Sequence, residues 1–224
     1  MSGSLRIIPS IASSDLAALG REAERVREVG RLHVDIEDGN FSPGMTFGPD
    51  TVARLRAYTD SVFDVHLMVT RPQDLLEELR GLGVERIAVQ AEASAYPSRL
   101  LNTIRAFGMR AGLALNYKTA VEVLERYADL LDYVLLLTNE SDCAGLAFKP
   151  QSLERIRRTR ALLDRGTEIW VDGGVTEALL PMVREAGADV AIMGRAIFGA
   201  QDAMARYRQL TAAALERGDA LERA

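Results

Sequence analysis

The order of apolar and amphipathic segments predicts an α/β fold, a single (β/α)8 TIM barrel spanning residues 1–224. Three observations predict it. A short apolar strand, a helical pattern and another strand recur along the whole chain, which argues for a parallel sheet wrapped by helices. Eight such units fit in about 210 residues, close to the lower size of this barrel. The first strand runs into Pro9-Ser10-Ile11-Ala12 and not into a G-x-G-x-x-G loop, which weakens the rival, an open doubly wound sheet holding a dinucleotide. No low-complexity stretch or Pro/Gly/Ser linker interrupts the repeat, so no domain boundary is placed.

The first strand is expected over about 6–10. A helix follows from Ser14-Asp15, with Leu16, Leu19, Ala23 and Val26 on one stripe, and stops at Gly30. Strands two and three are expected over about 31–36 and 61–67. Beyond them, Thr70-Arg71-Pro72-Gln73 reads as a capping box with proline near the first turn. Leu75, Leu76, Leu79 and Leu82 form that helix's buried face, and Gly81 ends it. Gly83-Val84-Glu85 then leads into strand four, over about 86–91. Strands five, six and seven are expected over about 109–115, 132–137 and 167–172. Gly173-Gly174 lead into a helix beginning near Val175. Gly187-Ala188-Asp189 repeats the helix-to-strand joint, a left-handed glycine before strand eight at about 189–193.

Composition narrows the function classes. The chain is 48% hydrophobic and 26% charged, enough for one sizeable core. Its longest apolar runs, such as Tyr133 to Leu137, are too short to span a bilayer, so no membrane partner is expected. Met1 to Ser10 carries no apolar stretch behind a basic start, so secretion is not expected. A net charge of -5 and a pI near 5.2 argue against a broad nucleic-acid footprint. The single cysteine, Cys143, excludes an internal disulfide framework and suits a reducing cytosol, so a cytoplasmic location is expected. A catalytic role for that thiol is the less favoured reading.

Chemistry in such a barrel sits where strands end and loops begin. The polar residues there are Ser10, His33, Asp35, His66, Glu92, Asn116 and Asp172. Side chains alternate along a strand, so His33 and Asp35 share one face, as do Asp64 and His66. Each residue alone has a plain structural explanation. An isolated histidine is usually hydrogen-bonded structure, and Asp172 before two glycines could simply start a turn. Together they weigh differently. If these faces point inward, His33, Asp35, His66 and Asp172 converge, and two carboxylates in a poorly solvated mouth are costly without a cation. Two imidazoles and two carboxylates suit one divalent ion of zinc, iron(II), manganese or cobalt better than calcium.

Several motifs carry a resemblance. Ile8-Pro9-Ser10-Ile11-Ala12-Ser13-Ser14-Asp15, Leu32-His33-Val34-Asp35-Ile36-Glu37-Asp38-Gly39 and Asp64-Val65-His66-Leu67-Met68 resemble motifs of the ribulose-phosphate 3-epimerases. So do Gly112-Leu113-Ala114-Leu115-Asn116 and Val171-Asp172-Gly173-Gly174-Val175, and the likeness runs from about Ile7 to Phe198. The resemblance implies that His33, Asp35, His66 and Asp172 hold the metal, with Asp35 and Asp172 also the acid–base pair. It further implies that Ser10 hydrogen-bonds near the reacting centre and that Met68 packs beside it. The expected partner is a sugar or sugar phosphate, and the protein is expected to form a homo-oligomer.

Departures from that family bear on substrate. Where the family has Asn-Pro-Gly-Phe-Gly-Gly-Gln after strand six, this chain has Glu140-Ser141-Asp142-Cys143-Ala144-Gly145-Leu146. Fewer glycines and two more acids oppose phosphate binding there. Gly173, Gly174, Gly194 and Arg195 pull the other way, because the barrel's usual phosphate site follows strands seven and eight. Glu37 stands in place of methionine, Ser42-Pro43-Gly44 in place of Val-Pro-Asn, and Gln90 in place of histidine. The leading expectation is an epimerase inverting C3 of a ketose phosphate. Two alternatives are a metal-dependent decarboxylase or lyase on the same barrel, and a non-catalytic sugar-binding paralogue. A Schiff-base aldolase is disfavoured, since Lys118 and Lys149 both lie in loops.

Overall fold

The computed structural model describes residues 4–140 and 146–215. Eight parallel strands form one sheet: β1 Arg6–Pro9, β2 Arg31–Glu37, β3 Val62–Met68, β4 Val84–Gln90, β5 Arg110–Leu115, β6 Tyr133–Leu137, β7 Glu168–Asp172 and β8 Val190–Met193. Their order is β1-β8-β7-β6-β5-β4-β3-β2, and a parallel bridge from Ser10 to His33 joins the two ends. The expected strands are therefore all present and the sheet closes into the expected barrel. β4 begins two residues earlier than the sequence suggested. Phe63 pairs with Val84 and Asp64 with Arg86, so Glu85 is skipped in a bulge that no alternation pattern reveals.

Two apolar layers hold the barrel. Residues such as Leu32, Val34, Phe63, Val65, Ile87, Leu113 and Val171 face the surrounding helices in one continuous core. The opposite strand faces supply a separate interior cluster that includes Ile8, Ala88, Tyr133, Leu135, Trp170 and Ile192. Tyr133 and Trp170 pack with ring centroids 4.7 Å apart, in the tilted arrangement aromatic pairs favour. Below them, at the N-terminal end of the strands, Arg31 pairs with Asp64 at 2.5 Å and with Glu85 at 2.8 Å. Arg6 meets Glu168 at 2.5 Å, and the Trp170 Nε1–H donates to the same carboxylate. Charge thus plugs the floor and leaves the C-terminal end open.

The helical layer is more broken than its periodicity suggests. The first stretch divides into 3-10 turns at Leu16–Ala18 and Arg27–Val29 around α1, Leu19–Arg25, and Gly30 ends it at φ 71° as expected. The capping box at Thr70 does not form. Thr70 instead donates both its N–H and its hydroxyl to Asp38 at 2.8 Å, and the following turns are short, Pro72–Asp74 and then α2, Leu76–Leu79. A carboxylate from the neighbouring loop outcompeted the local cap. The helix expected near Val175 begins two residues later, with a 3-10 turn at Glu177–Leu179 before α3, Leu180–Ala186. Among the described residues no helix is long and apolar enough to cross a membrane.

Candidate metal centre and active site

His33, Asp35, His66 and Asp172 meet at the open end of the barrel. Each offers one ligand atom, and these atoms all lie within 4.8 Å of one another. The cause is local. Period-two alternation on β2 turns His33 and Asp35 to the inside, and the β2–β3 register sets Asp35 directly beside His66. Asp172 arrives at the last residue of β7. Asp35 Oδ1 lies 3.1 Å from His33 Nε2 and 3.2 Å from His66 Nδ1, while Ser10 Oγ donates to Asp35 Oδ2 at 2.7 Å. Ser10 thus reaches the site through Asp35. Two nitrogens and two carboxylate oxygens converging on one buried point fit a divalent ion of the first transition row, so the cluster could hold one.

The charges sort themselves. Burial works against an ionised Asp35, but His33 and His66 outweigh it and hold this carboxyl well below its usual range. Burial and then the neighbouring Asp35 charge push the Asp172 carboxyl up to about 7. A proton on the pair therefore resides on Asp172 in preference to Asp35. Burial lowers His66, whereas for His33 the surrounding Asp35, Asp172 and Asp64 overcome burial and raise it. Opposed shifts on adjacent carboxyls are the arrangement that assigns one group as base and the other as acid.

Behind the cluster lies a shell whose members the sequence marked singly, Gln90 as a departure and Glu92 and Asn116 as rim residues, without joining them. Gln90, fully buried on β4, lies 3.1 Å from His66 Nε2. With the amide oriented from its hydrogen-bond network, its oxygen accepts from Nε2 and its nitrogen donates to Glu92 at 2.9 Å and to the Ala114 carbonyl at 3.1 Å. That bond keeps the proton on Nε2 and leaves the Nδ1 lone pair aimed at the cluster. Glu92 itself accepts from the Asn116 N–H and the Thr119 hydroxyl, so Glu92 and Asn116, both read as rim residues, brace the strands beside the cluster. Among the described residues, His33 Nδ1 and Asp64 Oδ2 are buried and meet no hydrogen-bond partner.

Above the cluster opens a cavity of about 490 Å3, a size suited to a small polar ligand. Ser10, Asp35, Met68, Asp172, Gly173, Gly174, Gly194 and Arg195 all line it, so every remaining residue predicted for the site reaches the same space. Arg195 is exposed at its wall. Gly173 and Gly174 sit at φ 114° and 67°, and a Cβ on Gly174 would come within 2.5 Å of Phe148 N and 2.7 Å of Leu146 O. The Asp-Gly-Gly turn is thereby packed directly against the strand-six loop. Residues 141–145 of that loop, including Asp142 and Cys143, lie outside the described residues. Glu140 is described, and Lys118 pairs with it at 3.1 Å, which softens the objection its charge raised against an anion.

Three departures prove to be one contact. Glu37 lines the cavity, half-buried, and Ser42 Oγ donates to its Oε2 at 3.0 Å. A Cβ on Gly44 would collide with that same oxygen. Glu37, Ser42 and Gly44 are separate in sequence pattern and joined only by the loop's path.

Comparison with known proteins agrees with this geometry. The chain is 37% identical over 204 residues to "Ribulose-phosphate 3-epimerase" of Bacillus subtilis, covering 88% of this chain and 94% of that one. It is 35% identical over 198 residues to the protein of that name from Rhodobacter capsulatus, covering 87% and 86%. Among solved structures, orotidine 5'-phosphate decarboxylase from Pyrococcus horikoshii superposes with a TM-score of 0.68 at 15% identity, covering 94% of this chain and 99% of that one. At that identity the likeness concerns the barrel and not the chemistry. A family model described as "Ribulose-phosphate 3 epimerase family" matches residues 6–198. The chain therefore belongs to the ribulose-phosphate 3-epimerase family.

Proposed function

We propose that this protein is a metal-dependent isomerase that inverts C3 of a ketose phosphate, with Asp35 and Asp172 as the acid–base pair. One observation carries the reading: two carboxyls, Asp35 from β2 and Asp172 from β7, share a single cluster with His33 and His66 at the open end of the barrel. Inverting the carbon next to a ketone means taking its proton from one face and returning one to the other. Asp35, ionised, accepts the C3 proton, and the C–H electrons pass into the adjacent carbonyl to give an enediolate. Asp172, protonated, delivers a proton to the opposite face of C3. The turnover leaves Asp35 protonated and Asp172 ionised, which is the starting state for the reverse reaction.

His33, Asp35, His66 and Asp172 would hold the ion, which when bound supplies a Lewis acid for the charge developing on the carbonyl oxygen. Gln90 and Ser10 fix the orientation of His66 and Asp35. Met68 gives the reacting carbon an apolar neighbour. Gly173, Gly174 and Gly194 bring backbone close to the cavity, and Arg195 supplies the cation for the phosphate. The reading includes a cytoplasmic location and a homo-oligomeric state.

The test follows the C3 hydrogen in D2O with ribulose 5-phosphate and other ketose phosphates, alongside metal content. Wild type should exchange that hydrogen. Asp35→Asn and Asp172→Asn should each slow exchange by about 10²–10⁴-fold, and full exchange in either variant with its metal retained would remove the acid–base assignment.

A further inference from the structure

Two described carboxylates of the cavity, Glu37 and Glu140, have no part in the reaction above, and Glu140 is already paired with Lys118. Glu37 stands two residues beyond Asp35 on the same inward face of β2 and is half-buried. The loop after β2 is built around it. Ser42, only 2% exposed, spends its hydroxyl on Glu37 Oε2, and Gly44 lacks the Cβ that would occupy that oxygen's place. Thr46 anchors the same segment, donating to the Asp35 carbonyl at 2.7 Å and accepting the Glu37 N–H at 3.1 Å. Among the described residues no cation pairs with Glu37, and its Oε1 accepts no hydrogen bond. A charged acceptor so held, with one oxygen free toward a cavity, is a hydrogen-bonding site lacking its donor.

Its position limits what that donor can be. β8 and β1 separate β2 from β7 in the barrel, so Glu37 stands on another wall of the cavity from Gly173 and Gly174. A phosphate beside Glu37 would meet like charge, whereas the wall carrying Arg195 offers a cation. On the orientation proposed above, C3 lies at Asp35 and Asp172 and the phosphate lies by Arg195 after β8, two strands from β2, so the C1–C2 end is the part of the sugar left to meet Glu37. We infer that Glu37 is a specificity-determining residue that accepts a hydrogen bond from the C1 hydroxyl of a ketose phosphate, so that 1-deoxy sugars are rejected. This rests on the reading under Proposed function for the orientation of the sugar.

The experiment compares xylulose 5-phosphate with 1-deoxyxylulose 5-phosphate on the metal-loaded protein, by calorimetric affinity and by C3 exchange in D2O. Wild type should favour the hydroxylated sugar by about tenfold or more, the loss expected when a charged acceptor goes unpaired. Glu37→Ala should bring the ratio of the two affinities close to one, with its urea midpoint near that of wild type. Gly44→Ala, which displaces the carboxylate, should also level the ratio, and should add nothing in the Glu37→Ala background. An undiminished preference in Glu37→Ala overturns the inference, as does equal binding of both sugars by wild type; exchange by wild type in either case leaves the epimerase reading standing. Glu37-dependent discrimination in binding without any C3 exchange would sink the epimerase reading and keep Glu37's role. Binding of neither sugar by wild type defeats both.

Discussion

Gly174→Ala is expected to destabilise the protein by a packing term that a second glycine isolates. Gly174 sits at φ 67°, where an L side chain costs about 1–2 kcal/mol. Its new methyl would also lie 2.5 Å from Phe148 N and 2.7 Å from Leu146 O, both backbone atoms that no rotamer change can move. Ordinary carbon contacts are about 3.5–4.0 Å, so the turn and the strand-six loop must separate by roughly 1 Å. Overpacking of this kind costs about 1–3 kcal/mol. Gly30 has nearly the same backbone, φ 71°, but nothing within 4 Å of its Cβ position. Gly30→Ala therefore carries the backbone strain alone, and the unfolded-state entropy removed by adding a methyl is common to both variants. Gly174→Ala should be less stable than Gly30→Ala by about 1–3 kcal/mol, or a further fall in Tm of about 2–12 °C for a chain of this size. Reversible urea denaturation of the two variants measures the difference. Equal losses would refute the packing of the Asp-Gly-Gly turn against the loop.

Because its folded pKa is raised, Asp172's contribution to the chelated protein is present below about pH 4 and lost as pH rises through about 7. Asp172→Asn should flatten the corresponding fall of the urea midpoint, and an identical pH profile in variant and wild type would count against the shift. Gln90→Leu, which frees the tautomer of His66, should weaken metal affinity about 10–100-fold in competition with a chelator, and unchanged affinity would show that His66 is oriented by other contacts. Arg195→Ala should weaken binding of a ketose phosphate but not of the matching free ketose; equal affinity for the phosphate in variant and wild type would remove Arg195 from the site.

Most strands were legible because their chemistry is local. Leu32, Val34 and Ile36 alternate with His33 and Asp35, and only an inward-facing polar row on an otherwise apolar strand explains that pattern. The Asp172-Gly173-Gly174 turn was legible for the same reason, since left-handed backbone needs glycine. Local logic failed where two segments compete for one group. Thr70 had the signature of a helix cap, but Asp38 took its hydroxyl. The β4 bulge at Glu85 is a matter of pairing between strands and leaves no mark on either one alone.

What the sequence by itself determined is which residue types lie on which face: two histidines and two aspartates pointing inward at strand ends, with apolar residues on the other side. Periodicity records that because side-chain direction follows from backbone geometry alone. Only the tertiary structure decided that the four meet within 4.8 Å, that His66 turns Nδ1 and not Nε2 toward the others, and that Glu37, Ser42 and Gly44 form one contact. Those outcomes depend on barrel closure, strand register and the path of one loop, which are properties of pairs of segments distant along the chain. Protonation follows the same division, since the opposite shifts of Asp35 and Asp172 arise from burial and from each other's charge once they are brought together.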